Sequence, residues 1–148
     1  MVVKRISIER VFEEIRSSPR NMRHLSICVL LVGMHSFFLG LIIFFCTELF
    51  YQSFFLAKIE NFFFVRQAGL LLFCLGLFNL AILIDMKRNY YLVKVIIATK
   101  VLAVLFLFSH AHLAARPLII FLAAIGDGLM CILLIYFYRQ LHFSTTER

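Results

Sequence analysis

The chain contains four long apolar stretches that are separated by shorter segments with charged residues. They are residues 25–47, 67–84, 90–113 and 117–138. A helix needs about 20 predominantly apolar residues to cross the hydrocarbon of a bilayer, and each stretch approaches or exceeds that length. The pattern predicts an all-α, polytopic membrane protein in which residues 19–139 form a bundle of four transmembrane helices.

The two ends of the chain are more polar than the stretches between them. In residues 1–18, apolar side chains recur at helical spacing from Ile8 to Ile15, with charged side chains on the opposite face. This pattern predicts an amphipathic helix that is too polar to span a membrane and that lies in the headgroup region or docks on a partner. Residues 140–148 are expected to form a short cytoplasmic tail.

The overall composition also favours lipid as the solvent. Hydrophobic residues make up 63% of the 148 positions, whereas soluble domains contain about 45–50%. The net charge of +7 is spread beside the apolar stretches and is not gathered into a basic domain with aromatic recognition residues, so nucleic acid is not an expected partner. The expected partners are the lipid bilayer and either other membrane subunits or a second copy of the chain.

Lys and Arg residues flank the apolar stretches unequally. Of the fifteen such residues, eleven lie before the first stretch, in residues 85–94 and after residue 138, three lie on the opposite side, and Lys100 lies within the third stretch. In membrane proteins the cytoplasmic loops carry the excess of Lys and Arg. The sequence therefore predicts a multi-pass protein of the inner (plasma) membrane with both termini in the cytoplasm.

Aromatic and basic side chains mark the other predicted interface. Residues 48–66 alternate charged and aromatic positions, among them Phe62, Phe64 and Arg66, and Arg116 precedes the last apolar stretch. Aromatic side chains of this kind lie at headgroup level in membrane proteins. We expect an interfacial loop, with or without a short helix lying flat on the membrane.

Each of the four stretches carries a polar side chain at nearly the same depth. His35, Asn79, Lys100 and Asp127 lie roughly 9–15 Å from the cytoplasmic ends of their predicted helices, at a rise of about 1.5 Å per residue. Lys100 and Asp127 are the natural pair, because opposite charges that meet inside the membrane spare each other part of the desolvation penalty. His35 and Asn79 are expected to complete a hydrogen-bonded layer.

Three roles are open for this polar layer. It either fixes the register of the helices or forms a functional site, such as a proton-responsive group, a pocket for a quinone head group or a path for a small solute. In the third interpretation, Lys100 reaches toward the cytoplasmic interface without a partner.

Six glycines are predicted to let helix backbones approach one another. They are Gly33 and Gly40 in the first stretch, Gly69 and Gly76 in the second, and Gly126 and Gly128 in the fourth. The first two pairs are each seven residues apart, so both members of a pair face the same side of their helix. The last pair flanks Asp127, where access of a ligand or water to the carboxylate is the alternative to close packing.

No sequence pattern of catalysis or metal binding accompanies these features. The four cysteines are isolated within apolar stretches, and His110 and His112 are separated by one residue, which directs them to different sides of a helix. A nucleotide-binding loop, a haem-attachment motif and a zinc-protease motif are all missing from the sequence. We therefore predict no catalytic residue, metal or cofactor, and enzymatic chemistry is not visible.

A set of short motifs resembles a known group of proteins. Residues 62–69, with the sequence FFFVRQAG, are followed by Gly76, by Lys100 in the third stretch and by Gly126 and Asp127 in the fourth. In this pattern the chain resembles small bacterial four-helix membrane proteins, broadly the DoxX-like proteins and families of unknown function. The resemblance implies a compact bundle of the kind that accompanies membrane oxidoreductases, and it implies no set of catalytic residues.

Three functions are compatible with these features. The favoured hypothesis is a non-catalytic accessory or structural subunit of a larger membrane complex, because the predicted chain has almost no extramembrane domain and no cofactor motif, and its amphipathic start is suited to docking. The first alternative is a small oligomeric transporter or proton-coupled carrier that uses Lys100 and Asp127 as an intramembrane charge pair. The second alternative, implied by the resemblance, is a quinone- or lipid-binding component of a membrane oxidoreductase.

Overall fold

Helices make up nearly all of the part of the chain that the structure describes. The computed structural model describes residues 15, 16, 18–55, 61–111 and 117–146, and no β-strand occurs in these ranges. The predicted amphipathic helix at residues 1–18 lies almost entirely outside them. The helices longer than one turn within these ranges are α1, Arg20–Phe45; α2, Thr47–Phe55; α3, Phe63–Ile82; α4, Val93–His110; and α5, Pro117–Thr146. The prediction of an all-α protein is confirmed.

Three helical stretches in the described ranges are long and apolar enough to cross a membrane. They are Arg20–Phe45, Phe63–His110 and Leu118–His142. Their outward faces leave large apolar side chains uncovered, and Leu31, Leu102 and Ile132 each expose 60% or more of their surface. Exposed apolar area of this extent needs lipid around it rather than water. The helices therefore indicate a membrane protein.

The second of these stretches is interrupted between α3 and α4. Asp85 leaves the helical region, with φ −144° and ψ 74°, and its carboxylate accepts a hydrogen bond of 3.1 Å from the Arg88 backbone N–H. This bond caps the single helical turn Met86–Asn89, which a short 3₁₀ turn precedes and another follows. The interruption coincides with the predicted charged turn, although α3 begins earlier and α4 later than predicted.

The helices α1 and α3 run in opposite directions against each other. Gly33 of α1 packs against Leu80 near the end of α3, whereas Gly40 packs against Phe73, nearer its start. Residue numbers that rise along one helix while they fall along the other define an antiparallel pair. The start of α1 and the end of α3 therefore lie at the same end of the bundle.

The last helix, α5, runs antiparallel to both α1 and α4. The contacting pairs are His24 with Phe137 and His35 with Asp127 between α1 and α5, and Lys100 with Asp127 and Phe108 with Phe121 between α4 and α5. Together with the pairing of α1 and α3, these contacts give four long helices that alternate in direction along the chain. The start of α1, the turn at residues 83–92 and the end of α5 share one end of the bundle.

Helices that are neighbours in sequence are not always neighbours in space. The helix α1 packs most extensively against α3 and also contacts α5, which in turn packs against α4, while α3 and α4 share few close backbone contacts. The spatial order is thus α3, α1, α5, α4. The turn at residues 83–92 joins the two outer members at one end, and space remains between them toward the other end.

Glycines bring α1 and α3 to backbone contact. A Cβ atom at Gly40 would lie 2.8 Å from the carbonyl oxygen of Gly69, and one at Gly76 would lie 2.7 Å from the Cα of Phe37. At Gly33 the nearest atoms belong to an α3 side chain, at 2.9 Å. Because real Cβ atoms do not come this close to backbone, α1 and α3 can meet in this way only at glycine.

The glycines of α5 behave differently. A Cβ atom at Gly126 or Gly128 would meet no atom within 4 Å. The described chain thus supplies no packing partner for these two glycines, and their packing role stays a prediction. Asp127 takes the inward position between them, and a rotation of about 100° per residue turns its two neighbours away from the bundle on either side.

Apolar side chains fill the end of the bundle that holds the start of α1. The buried cluster there joins α1, the end of α3, the start of α4 and the second half of α5. Its members include Leu25, Val29, Val32, Ile82, Leu83, Met86, Val93, Ile96 and Leu134. This half of the bundle is packed, and the space between the helices lies in the other half.

Helix α2 is the short helix that the interfacial prediction left open, and α5 is longer than predicted. The interfacial loop predicted at residues 48–66 begins with α2, and residues 56–60 lie outside the described ranges. The helix α5 continues to Thr146, well beyond the predicted end of its span at residue 138. No Gly or Pro follows residue 138 to stop the helix, and Leu141 is still buried against the bundle.

Candidate functional site

Lys100 and Asp127 meet where α4 crosses α5. The Lys100 Nζ donates a hydrogen bond of 2.5 Å to the Asp127 Oδ1, and the two side chains are only 7% and 13% exposed. Removing either charge from water alone costs several kcal/mol, roughly, and the contact offsets part of that cost for both. The structure thus brings together the two charges that the sequence singled out as a pair.

His35 reaches the same carboxylate from α1. Its Nδ1 lies 3.9 Å from the Asp127 Oδ1, which is beyond hydrogen-bond length, and its side chain is 39% exposed. Of the three ionisable groups it is the most accessible. It makes no hydrogen bond to the described part of the chain, so its ring nitrogens are available to another molecule.

Asn79 does not join the other three side chains of the predicted layer. It is 1% exposed and packs beside Gly33 in the α1–α3 interface, two residues from His35 along α1. At a rise of about 1.5 Å per residue, it therefore lies within roughly 3 Å of the level of His35. The four polar residues share a depth, but only His35, Lys100 and Asp127 form a cluster.

A buried serine near Asn79 was not anticipated from the sequence. Ser36 is 1% exposed, and its Oγ, like the Asn79 Oδ1, finds no hydrogen-bond partner among the described residues. Serine inside an apolar helix ordinarily bonds a carbonyl one turn back, as Ser26 does to Met22 at 2.9 Å. The sequence alone gives no signal that Ser36 lacks this bond.

A cavity of about 440 Å³ lies over the cluster of His35, Lys100 and Asp127. All five helices contribute to its wall. Besides the three polar residues, the lining consists of Leu39, Ile43, Phe50, Leu72, Ala103, Phe106, Leu107, Ile120 and Ala123. The cavity thus has one polar end and otherwise apolar walls, which is the usual composition of a small-molecule site.

The cavity occupies one half of the bundle only. Its residues in α1, α4 and α5 extend from the charged cluster toward the end where α2 lies, and Phe50 of α2 reaches it there. On the opposite side of the cluster, the packed apolar residues around Val32, Ile96 and Leu134 fill the bundle. The charged cluster is therefore the floor of a cavity rather than the middle of a channel.

The floor has unused hydrogen-bonding capacity. A Lys ammonium has three N–H donors and a carboxylate has two oxygens, and the described part of the chain supplies one hydrogen bond between them, to the Asp127 Oδ1. Lys100 therefore keeps donors, Asp127 keeps an acceptor oxygen, and His35 keeps both nitrogens. Together they can bind a polar group that both donates and accepts hydrogen bonds.

Three of the predicted interfacial residues, Phe62, Phe64 and Arg66, lie at the start of α3. Phe62 and Arg66 line a separate surface cleft of about 580 Å³, whereas Phe64 is 76% exposed. Arg116 lies outside the described residues. No recorded contact joins Phe62, Phe64 or Arg66 to the charged cluster, so these three do not belong to the same site.

Metal-binding and disulfide chemistry find no support in the described ranges. No three His, Cys, Asp or Glu side chains there lie close enough to hold a metal ion, and Cys28, Cys46, Cys74 and Cys131 are free thiols. His110 stacks on Phe106 with its ring 4.4 Å away, and His112 lies outside the described residues.

Comparison with known proteins assigns no family to the chain. No protein-family model, curated protein or solved structure matches it.

Proposed function

We propose that this protein spans the membrane four times and binds a small lipid-soluble molecule in the cavity above His35, Lys100 and Asp127. The observation that carries the binding function is the cavity itself, about 440 Å³ of largely apolar space with the three polar groups at one end. A molecule with a hydrophobic body and one polar end complements both parts of such a site.

The four-span topology rests on the alternating directions of α1, α3, α4 and α5. Basic residues gather where α1 starts, at the turn between α3 and α4, and where α5 ends, with Arg20, Lys87, Arg88 and Arg139 among them. Such an excess favours the cytoplasmic side. In the proposed orientation, both termini lie in the cytoplasm at the inner (plasma) membrane, and the cavity lies in the outer half of the bilayer.

The shape of the site favours binding over transport. A carrier needs a route to both sides of the membrane, and the packed cluster that contains Val32, Ile96 and Leu134 fills the bundle on the cytoplasmic side of the charged floor. A transport cycle would have to open that cluster. A molecule that enters from the lipid and stays above the floor requires no such rearrangement.

An accessory role in a larger membrane complex is the second candidate. It is favoured by the uncovered backbone at Gly126 and Gly128, where a helix of another subunit could approach α5 closely. The two functions are compatible, because a subunit of a complex can carry the lipid-soluble molecule on which the complex acts.

Native mass spectrometry of the protein purified in mild detergent tests both candidates. We expect a bound lipid-soluble molecule in the wild type and its loss in Ala103→Phe, which places a ring in the cavity. Ala98→Phe is the matched control, because Ala98 lies on the same helix but is exposed outside the cavity. Retention of the molecule by Ala103→Phe, at an unchanged folded fraction, would contradict binding in this cavity. A stable complex with a different membrane protein would support the accessory role.

A further inference from the structure

We infer that the molecule bound in the cavity is uncharged and carries a hydroxyl or carbonyl oxygen at its polar end. The inference rests on the binding function proposed above and specifies the chemical class of the ligand. It follows from the charge balance and the hydrogen-bonding groups of the floor.

The floor is electrically balanced before any ligand arrives. The Lys100 ammonium and the Asp127 carboxylate are in contact and cancel each other, and the imidazole of His35 adds no charge in its unprotonated form. A ligand carboxylate would bring a second negative charge next to Asp127, and a ligand amine would bring a second positive charge next to Lys100. Burial of a charge without a partner is costly, so the site discriminates against both.

The floor nevertheless requires hydrogen bonds. Lys100 keeps N–H donors and Asp127 keeps a carboxylate oxygen, and each is nearly buried. An unmet hydrogen-bonding group in an apolar environment costs free energy. A hydroxyl can donate to Asp127 and accept from Lys100 at once, and a carbonyl oxygen can accept from Lys100 or His35. A plain hydrocarbon can do neither.

The route into the site also favours a molecule that dissolves in the bilayer. The helices α3 and α4 share few close contacts, and the cavity lies partly between Leu72 of α3 and Leu107 of α4. Lipid surrounds these two outer helices in the proposed topology. An uncharged molecule can cross that boundary without exposing a charge to hydrocarbon.

Photoaffinity labelling of the full chain in phosphatidylcholine nanodiscs tests this inference. Four probes share a dodecyl chain with a diazirine at its middle and differ only at one end, which is a hydroxyl, a carboxylate, an ammonium or a methyl group. Each is supplied at the same mole fraction, and labelled residues are identified by mass spectrometry. We expect the hydroxyl probe to label cavity residues such as Ala103 and Leu107 at least about threefold more than the methyl probe. A ratio of this size corresponds to roughly one additional hydrogen bond. Both charged probes should label them less than the hydroxyl probe.

Two charge variants should invert the preference. Asp127→Asn leaves Lys100 without its counter-charge, so the carboxylate probe should label the cavity residues most strongly. Lys100→Gln leaves Asp127 without its counter-charge, so the ammonium probe should then give the strongest labelling. Lys94→Gln is the control, because Lys94 is an exposed lysine of the same helix outside the cavity, and it should keep the wild-type order. Should a charge variant not fold, the order of the four probes in the wild type still decides the inference.

The outcomes separate the ligand class from the binding function. Strongest labelling by a charged probe in the wild type overturns the uncharged class while leaving the cavity a binding site. Equal labelling by the hydroxyl and methyl probes means that an apolar lipid chain is enough to occupy the cavity. The inference that the ligand carries a hydroxyl or carbonyl oxygen is then wrong. If no probe labels the cavity residues, the proposed binding function itself fails.

Discussion

At the scale of single residues, the contact between Lys100 and Asp127 is the feature on which the site depends. The pair could be anticipated because few charges interrupt the apolar stretches, and counting the helical rise places these two at one depth. Two features could not be anticipated: the isolation of Asn79, and the lack of a hydrogen-bond partner for the Ser36 hydroxyl within the described ranges. Depth along a helix follows from residue number, whereas the direction of a side chain depends on how the helices are rotated against each other.

Neutralising one member of the pair should destabilise the bundle, whereas replacing both should largely restore it. Asp127→Asn leaves a nearly buried ammonium without its partner, at a cost of about 3–5 kcal/mol in the free energy of unfolding. Lys100→Met with Asp127→Leu removes both charges and keeps side chains of similar size. The midpoint of denaturant unfolding in detergent measures the effect. Stable single variants beside an unstable double variant would show that the ion pair is not what holds α4 against α5.

The double variant also separates stability from binding. A bundle of wild-type stability that no longer binds the hydroxyl probe would show that the pair serves the ligand. Retained binding would restrict the pair to a structural role. The readout is labelling of the cavity residues, compared at matched folded fractions.

At the scale of the helices, the sequence predicted the elements better than their arrangement. Apolar stretches identified the cores of the long helices, and the charged turn at Asp85 marked the break between α3 and α4. The ends of the helices differ from the predicted ones by several residues, because a helix can continue through polar residues beyond an apolar stretch, as α5 does to Thr146. The sequence did not show that α3 and α4 share few close contacts, because the order of helices along a chain does not fix which of them pack together.

Glycine substitutions test why α1 lies against α3. Gly40→Ala would place a Cβ 2.8 Å from the Gly69 carbonyl oxygen and force the two backbones apart. We expect it to lower the free energy of unfolding by about 1–3 kcal/mol. Gly128→Ala is the matched control, because its Cβ would meet none of the described atoms within 4 Å, and it should be neutral or stabilise the helix by up to about 1 kcal/mol. Unfolding in detergent gives both values, and equal effects of the two substitutions would contradict the packing role of Gly40.

At the scale of the whole molecule, the fold is an open arrangement rather than a closed bundle. Two tight pairs, α1 with α3 and α4 with α5, are joined through the contact of α1 with α5, and apolar residues fill only one half of the space between them. The cavity is a consequence of this arrangement. A sequence shows each helix but not the volume left between helices, so neither the cavity nor the position of Phe50 over it could be predicted.

The number of membrane crossings can be decided by the accessibility of single cysteines. As one straight helix, Phe63–His110 would extend about 72 Å at 1.5 Å per residue, more than twice the thickness of roughly 30 Å that a span has to cross. With four spans, Lys87→Cys and Arg139→Cys should react with a membrane-impermeant maleimide only after the cells are permeabilised. Gln67→Cys should react in intact cells, each variant being made in a background without the four native cysteines.

A three-span topology gives a different pattern. Residue 87 would then lie inside the bilayer and resist labelling from either side, and residue 139 would lie across the membrane from Arg20. Labelling of Arg139→Cys in intact cells, with Lys87→Cys unreactive from either side, would therefore overturn both the fourth span and the cytoplasmic position of the C-terminus. Because the cavity is bounded by α3 and α4 as separate helices, such a result would also require a different arrangement of the site in the membrane.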